Sequence, residues 1–263
     1  MKKYFWWIIC GFLICSISVI SWRPANAVKS NIKNSTKTTF TTKELFGQYI
    51  SDIYNTAQLQ QTGMDMAVLQ KAITGYINLK LAHKLSSNSS VITVVDFNKP
   101  SREKRMWIVD LISKKLLLNT WVSHGRGSGD DMATSFSNIN HSHQSSLGFY
   151  VTDDIYIGKH GRSLRLDGVD AGYNSSARAR AIVVHAAEYV CENTIKQMGR
   201  LGRSQGCPAV SPEVSDMVIN TIKGKNMLFI TGKTNNYSSK YLDETLAEHF
   251  LYPDSASVTM AKL

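Results

Sequence analysis

A single cysteine, Cys207, lies between a glycine and a proline in the segment GRLGRSQGCPAV, residues 199–210. Arginines, a serine and a glutamine precede it and interrupt the period of 2 or 3.6 that a core strand or helix would show. Reactive thiols are found in such polar surroundings, near positive charge. The segment therefore predicts an exposed, reactive thiol, and the alternative is a small buried side chain of the core.

His185 is the candidate base, because a cysteine nucleophile needs a neighbouring histidine to take its proton at neutral pH. It lies in the apolar run AIVVHA, residues 181–186, where a buried strand would hold its side chain rigidly. The alternative is a hydrogen-bonded histidine of the core. A helix is expected to follow and to end around Gly199, with an apolar stripe formed by Ala187, Cys191, Ile195 and Met198.

The turn around Cys207 also suits acyl transfer. Gly206 lets the backbone approach a substrate carbonyl, and Pro208 stiffens the exit from the turn. Attack on an amide creates an oxyanion, which is best stabilised by two fixed backbone N–H groups. Those of Gly206 and Cys207 are the candidates. Cys191, on the apolar stripe, is predicted to be structural, and a Cys191–Cys207 disulfide would be an inactive oxidised form.

The elements that must position these residues begin with helices. Thr41 and Glu44 have the spacing of a capping box, and Thr62 and Asp65 repeat this start signal. Two helices joined near Gly63 are therefore expected in a helical lead-in over residues 43–88. It follows a polar, flexible leader at residues 28–42.

Short β-rich runs separated by Gly, Asn, Asp and Ser dominate the next part of the chain. A late helix is expected between Ser211 as N-cap and Gly224 as the stop. The fold class is mainly β with helices, an α+β fold whose main domain covers residues 89–236. A polar C-terminal tail, residues 237–263, contains a short helix at 241–250. The predicted strands are residues 91–97, 105–111, 115–125, 147–152, 181–186 and 226–231.

The stretch between residues 124 and 146, HGRGSGDDMATSFSNINHSHQSS, is too polar and too rich in Gly and Ser for a strand or a core helix. Long irregular segments inside compact domains are typically functional loops. We interpret this stretch as a loop of the site, and the alternative is a disordered surface insertion.

Residues 1–27 have the pattern of a secretory signal peptide. Lys2 and Lys3 precede an apolar stretch, residues 4–20, and ANA at 25–27 fits the small-residue cleavage rule. The alternative is an uncleaved membrane anchor, although the stretch is short for a span of about 20 residues. We expect an exported protein with no stable membrane insertion after cleavage.

Composition limits the partners. The chain has 263 residues and a formal net charge of +10, which removal of residues 1–27 would lower by three. A basic exported protein meets nucleic acid, anionic lipid or an acidic wall polymer, and charge alone does not choose among them. Nucleic acid is not expected, because there is no zinc-finger spacing, RNP-like strand or long Lys/Arg run. The two cysteines after residue 27 do not make a disulfide scaffold.

From about Tyr76 to Gly232 the sequence resembles the L,D-transpeptidases of bacterial cell walls, which carry a YkuD-type catalytic domain. Their signature is a histidine at a strand end followed later by Ser-His-Gly-Cys. Here 18 residues separate His185 from Ser204, which begins the motif Ser-Gln-Gly-Cys. The blocks VVDFNKPS, SHGRGSG, YIGKHGRSLRLDG and GRLGRSQGCPAV are similar to the murein L,D-transpeptidase catalytic domain branch.

The resemblance implies a β-sandwich catalytic domain of L,D-transpeptidase type and a role for each motif residue. Cys207 would be the nucleophile and His185 the general base, oriented by Ser204 through its backbone carbonyl. The oxyanion would lie against the N–H groups of Gly206 and Cys207. Gln205 stands where the general family has histidine, so its side chain is not expected to be the base. Ala186 stands where many relatives have glycine, which would alter the pocket.

The implied function is that of a cysteine acyltransferase acting on peptidoglycan stem peptides. The thiolate of Cys207 would attack the carbonyl of the third residue of a tetrapeptide and release D-Ala. The thioester would pass to an amine in L,D-transpeptidation or to water in an L,D-carboxypeptidase. A non-catalytic peptidoglycan-binding module is the other alternative. No cofactor is implied, and the expected location is the bacterial periplasm or cell wall.

Arginines near the predicted site suit the carboxylates of stem peptides, because a guanidinium group binds a carboxylate through two hydrogen bonds. Arg203 and Arg162 are the candidates for substrate binding, with His160 and His124, each of which precedes a glycine in a polar stretch. The arginines concentrated in this part of the sequence are Arg162, Arg165, Arg178, Arg180, Arg200 and Arg203.

A metal hydrolase is the chief rival class. HSH at 141–143 is suggestive, but residues i and i+2 on a strand point to opposite faces, and no HExxH helix occurs. No metal is therefore expected. The histidines that such a site would draw on are His124, His141, His143, His160 and His185.

Overall fold

The structure is a computed structural model that describes residues 39–234, 236–253 and 258–259. The predicted signal peptide, residues 1–27, and most of the predicted leader lie outside the described residues. Within the described residues, no helix combines the length and the apolar character needed to cross a bilayer.

The chain enters the fold through two helices, α1 (Thr42–Thr56) and α2 (Met66–Leu81). The capping box predicted at Thr41 is present at the start of α1. At the start of α2 the cap is Asp65, whose carboxylate accepts the Ala67 N–H at 2.7 Å. Thr62, the other predicted start residue, instead ends a single 3-10 turn and accepts the indole N–H of Trp107. These caps satisfy backbone donors that a helix start leaves unpaired.

The described residues form ten strands: β1 (Thr39–Phe40), β2 (Val91–Asp96), β3 (Met106–Asp110), β4 (Lys115–Thr120), β5 (Gly148–Gly158), β6 (Gly161–Gly168), β7 (Val183–Ala186), β8 (Ala209–Val210), β9 (Met227–Thr231) and β10 (Val258–Thr259). Eight of these strands form one mixed sheet in the order β4-β3-β2-β9-β5-β6-β7-β8, and β1 pairs separately with β10. The three other helices in this part of the chain are α3 (Glu192–Met198), α4 (Pro212–Ile222) and α5 (Glu244–Leu251).

The predicted α+β class is correct, and the central strands are present where hydrophobic patterning places them. Strand β4 is shorter than predicted, and β1, β6, β8 and β10 were not predicted. A helix follows His185 as predicted, but the prediction that it carries a buried apolar stripe is wrong. The Ala187 N–H donates to the Val210 carbonyl at 2.9 Å, so strand pairing continues past β7 and α3 begins only after Cys191. Helix α3 buries no side chain, and Met198 is 53% exposed.

The central strands are buried on both faces. In β9, Met227 and Phe229 face a core shared with α1 and α2, while Leu228 and Ile230 face a second core on the other side. Successive side chains of a strand point to opposite faces, so an unbroken apolar run such as MLFI fits a strand covered on both sides. The helical lead-in thus covers one face of the sheet.

The second core brings the two ends of the sheet together as the layers of a sandwich. Ile108 of β3 and Val184 of β7 lie in the same buried cluster, together with Ile219 of α4. After β4 the chain continues along β8, where the Ser123 N–H donates to the Ala209 carbonyl at 2.9 Å. This contact brings the segment after β4 against β8, and the candidate site lies beside it.

Candidate active site

Strand pairing brings His185 and Cys207 into the same site. His185, 2% exposed, lies in β7, and its register partner in the parallel strand β8 is Ala209. Cys207 precedes Ala209 by two residues, so the turn before β8 meets β7 beside His185. Both side chains line one cavity of about 390 Å³. Val184 of β7 faces the core instead.

The cavity is lined by cationic, aromatic and small residues and by no aspartate or glutamate among the described residues. Five of the residues assigned a catalytic or substrate-binding role from the sequence line it, namely Cys207, His185, Ser204, Arg203 and His160. The other lining residues are Tyr156, Lys159, Arg180, Ala181, Val183, Tyr189 and Gln205. Such a lining favours an anionic ligand.

The imidazole of His185 is held by contacts to its ring. Its Nδ1 lies 2.8 Å from the Ala186 carbonyl oxygen, which can only accept, so Nδ1 carries the proton and Nε2 is left as the acceptor. The ring of His160 stacks on it with centroids 4.3 Å apart. Burial lowers the pKa of His185 below its usual value, so the ring is a neutral base at neutral pH.

The orienting role expected of the Ser204 carbonyl is wrong for this structure. That carbonyl accepts the Arg126 N–H at 2.8 Å, and the Ala186 carbonyl contacts His185 instead. Ser204 acts on the nucleophile's own turn: its hydroxyl donates to the Cys207 carbonyl at 2.7 Å and accepts the Gly206 N–H at 3.0 Å. The Gly206 N–H, expected at the oxyanion, is therefore occupied by Ser204.

Cys207 is partly buried, which corrects the expectation of an exposed thiol. Its Sγ lies 3.6 Å from the Ala181 carbonyl oxygen and packs against the second core. Burial raises the pKa of the Cys207 thiol above its usual value. With a raised thiol pKa and a lowered imidazole pKa, the pair rests as neutral thiol and neutral imidazole, and the proton must move during attack.

His124 does not line the cavity. It is fully buried, and its Nδ1 accepts a hydrogen bond from Arg105 at 2.8 Å. Its carbonyl accepts the Ser204 N–H at 2.9 Å, so it holds the nucleophile's turn from beneath. Burial, followed by the charge of Arg105, lowers the pKa of His124 to about 4.

Most of the arginines named from the sequence are engaged elsewhere. Arg162 donates to Asp216 and Asn220 at 2.8 and 2.7 Å and does not line the cavity. Arg178 pairs with aspartates on the surface, Arg200 pairs with Asp130, and Arg165 stacks over Tyr156. Only two of the six arginines line the cavity, Arg180 and Arg203.

The sequence did not reveal the two tyrosines and the lysine that line the cavity, Tyr156, Tyr189 and Lys159. Tyr156 and Lys159 lie at the β5–β6 hairpin, whose turn uses Gly161 with φ of 74°. The strand β6 went unrecognised, so the hairpin that carries the turn was not anticipated. Tyr189 follows β7, and its ring fills the space where a side chain at position 202 would lie, which explains Gly202.

The metal and disulfide alternatives gain no support from this arrangement. Among the described residues, no group of three His, Cys, Asp or Glu side chains is placed to hold a metal ion. His124 lies against Arg105, whereas His160 lies on His185. Cys191 and Cys207 are both free thiols.

Fold and site together define a mixed α+β domain in which a cysteine and a histidine share a cationic cleft. The sequence model of the L,D-transpeptidase catalytic domain matches residues 60–231, and the chain belongs to that family. A comparison with curated proteins found no match.

Among the solved structures that the chain matches are three bacterial proteins. The L,D-transpeptidase from Mycobacterium smegmatis is 12% identical with a TM-score of 0.34, over 54% of this chain and 59% of that one. The L,D-transpeptidase from Xylanimonas cellulosilytica is 12% identical with a TM-score of 0.34, over 56% and 63%. The helical cell shape determining protein from Campylobacter jejuni is 14% identical with a TM-score of 0.38, over 78% and 62%. The chain thus covers less than two thirds of each of these three.

Proposed function

We propose that the protein is an L,D-transpeptidase that transfers the acyl group of a peptidoglycan stem peptide through a Cys207 thioester. The observation that carries the proposal is the cavity shared by Cys207 and the neutral base His185, in a chain of this family. Two observations support it: both side chains line the same cavity, and Nδ1 of His185 faces the Ala186 carbonyl, which leaves Nε2 as the nitrogen that would accept the proton.

The proposed reaction has two acyl-transfer steps. As Sγ of Cys207 attacks the carbonyl carbon of the third stem residue, the thiol proton passes to Nε2 of His185. The S–C bond forms, the C–N bond to D-Ala breaks, and the imidazolium returns its proton to the leaving amine. In the second step an acceptor amine attacks the thioester and gives a proton to His185. The new N–C bond forms, the S–C bond breaks, and the imidazolium returns that proton to the leaving sulfur, which restores the thiol.

The lining of the cavity supports a substrate with several carboxylates. Arg203 and Lys159 both line the cavity, and no acidic residue of the described chain lines it. Stem peptides carry such carboxylates, and charge-assisted hydrogen bonds to arginine are among the strongest that proteins make. Tyr156 and Tyr189 add two aromatic rings for the apolar parts of the substrate.

The first prediction is that the full chain converts muropeptides with a tetrapeptide stem and that Cys207→Ala abolishes this conversion. Mass spectrometry should show an acyl adduct on the wild-type protein and dimers linked through two third-position residues. Cys191→Ala is the matched control, because this thiol lies outside the cavity, and it should leave the rate within about twofold.

The products discriminate among the alternatives. Tripeptides without dimers would assign an L,D-carboxypeptidase. Equal binding by the wild type and Cys207→Ala, with no adduct and no product, would assign a binding module and overturn the proposal. His185→Asn tests the base separately, since it should lower the acylation rate by about 10²–10⁴-fold while retaining substrate binding.

A further inference from the structure

Arg180 is a partly buried residue of the cavity, and among the described residues its guanidinium hydrogen-bonds only to neutral groups. It lies between β6 and β7, and its guanidinium donates to two backbone carbonyls, Ser137 at 2.7 Å and Gln144 at 2.6 Å. It also donates to the hydroxyls of Ser146 and Ser142. All four acceptors belong to the loop between residues 137 and 146, so Arg180 fastens this loop to the cavity wall.

No carboxylate balances this charge within the described residues. Arg203, the other arginine of the cavity, forms an ion pair with Asp130 at 3.2 Å. Arg178, two residues before Arg180, pairs with Asp167 at 2.7 Å and also with Asp153. Arg180 also forms short hydrogen bonds, but all of its partners are uncharged.

The unbalanced charge lies against the turn of the nucleophile. A side-chain carbon at position 206 would lie 3.2 Å from a guanidinium nitrogen of Arg180 and 2.8 Å from the Gln144 carbonyl. Gly206 is adjacent to Cys207, and the Sγ of Cys207 contacts the carbonyl of Ala181, the neighbour of Arg180. A fixed cation at this range stabilises an anion that is shielded from water.

We propose that Arg180 is the positioning residue of the nucleophile, because its unbalanced charge stabilises the anionic form of Cys207 while its hydrogen bonds fasten the adjoining loop. As a catalytic assignment this rests on the proposed function, in which Cys207 loses its proton as its sulfur attacks. Burial raises the pKa of Cys207, and the charge of Arg180 opposes that rise. The other titratable or charged groups that face the cavity with Cys207 are Tyr156, Lys159, His160, His185, Tyr189 and Arg203.

The test is the pH dependence of alkylation at Cys207, measured with iodoacetamide on the full chain and analysed by mass spectrometry of the peptide that contains it. The midpoint is the pH at which the alkylation rate of Cys207 is half its maximum. In Arg180→Gln, which retains a hydrogen-bond donor and removes the charge, this midpoint should rise by about one pH unit. In Arg180→Lys, which retains the charge, it should stay within about 0.3 unit of the wild type.

Two controls separate this effect from a general disturbance. Cys191 is partly exposed outside the cavity, and its midpoint, measured in the same digests, should not move. Arg178→Gln removes a surface arginine from the same segment and should leave the midpoint of Cys207 unchanged. An unchanged midpoint in folded Arg180→Gln would overturn the proposal, even if its KM for substrate rises.

If Arg180→Gln does not fold, Arg180→Lys provides the test. A rise of one unit in folded Arg180→Lys would show that the charge is not what matters and would overturn it. Alkylation needs no substrate, so the measurement stands apart from the proposed function. Muropeptide conversion by the wild type is a separate measurement. Its absence would refute the proposed function, whereas the alkylation midpoints would still decide the role of Arg180.

Discussion

Arg105 and His124 illustrate at the residue scale how buried charge is accommodated beside the site. Arg105 is 0% exposed and has no carboxylate partner in the described chain; its guanidinium donates to the Val122 and Lys99 carbonyls and to Nδ1 of His124. A buried arginine without its hydrogen bonds would be costly. The neutral His124 ring is therefore part of what allows the charge to be buried, and its own protonation is opposed.

The second prediction concerns this histidine. Its pKa is about 4 in the folded chain and 6.5 when unperturbed, so its contribution to stability is complete above pH 6.5 and is lost as pH falls toward 4. The loss amounts to up to about 3 kcal/mol. Urea unfolding at pH 7.5 and 4.5 measures it against His124→Gln, which does not titrate. Equal pH dependence in the two proteins would contradict the assignment.

The site residues differ in how far the sequence could reveal them. Cys207 and His185 stand out, because a polar glycine turn and a strand end are recognisable in the chain itself. The bond from Ser204 to the Cys207 carbonyl is not, since it depends on how the turn closes. Arg162 was misleading for the same reason, because its partner Asp216 is close only in the folded protein. Proximity in sequence does not predict the direction of a long side chain.

At the element scale, helix α2 packs closely against strand β5 at Gly75, where the helix has no side chain. A Cβ at Gly75 would lie 2.0 Å from the ring of Phe149, which is itself stacked on Phe229 at 4.4 Å. A glycine within a helix lowers its intrinsic stability, so its presence here reflects the close approach of the aromatic ring.

The third prediction compares two glycines in helices. Gly75→Ala should destabilise the protein by about 1–3 kcal/mol, because Phe149 or the helix must move. Gly47→Ala is the matched control, since no atom of another element lies within 4 Å of a Cβ there, and it should stabilise by up to about 1 kcal/mol. Thermal unfolding of both variants measures the difference. A stabilising Gly75→Ala would show that the ring adapts freely.

The elements were predictable where patterning is local. The runs at β2, β3 and β9 are apolar and bounded by polar residues, and they appear as strands. Strand β8 has only two residues and owes its existence to pairing with β7, which no local pattern encodes. In β6, the buried Leu164 and Leu166 alternate with Arg165 and Asp167, which is the period-2 pattern of a strand covered on one face, so this strand was recognisable in the sequence although it was not predicted.

At the scale of the whole molecule, the C-terminal segment is tied to the lead-in helices. Asn78 of α2 is buried, and its amide donates to the Tyr241 and Asp243 carbonyls at 2.9 and 2.8 Å. Asp170 accepts hydrogen bonds from Tyr237 and Ser239. Polar composition predicted a tail at this end of the chain, whereas the contacts show that residues 237–251 contribute to the core beneath the sheet.

The fourth prediction tests this connection. Asn78→Ala removes the donor to two carbonyls and should cost about 2 kcal/mol of unfolding free energy, measured by urea denaturation. Asn55→Ala changes an exposed asparagine of α1 and should stay within about 0.5 kcal/mol of the wild type. A loss as small as that of the control would mean that the C-terminal segment is anchored by its apolar contacts alone.

The pairing of β8 with β7 has a consequence for how the reactive pair is made. Strand β8 has two residues, and α3 with its flanking loops separates it from β7, so the pair closes a loop of chain at an entropic cost. His185 and Cys207 line one cavity only when these two strands are paired. A chain in which β8 is detached would keep both side chains but lose the pocket that unites them.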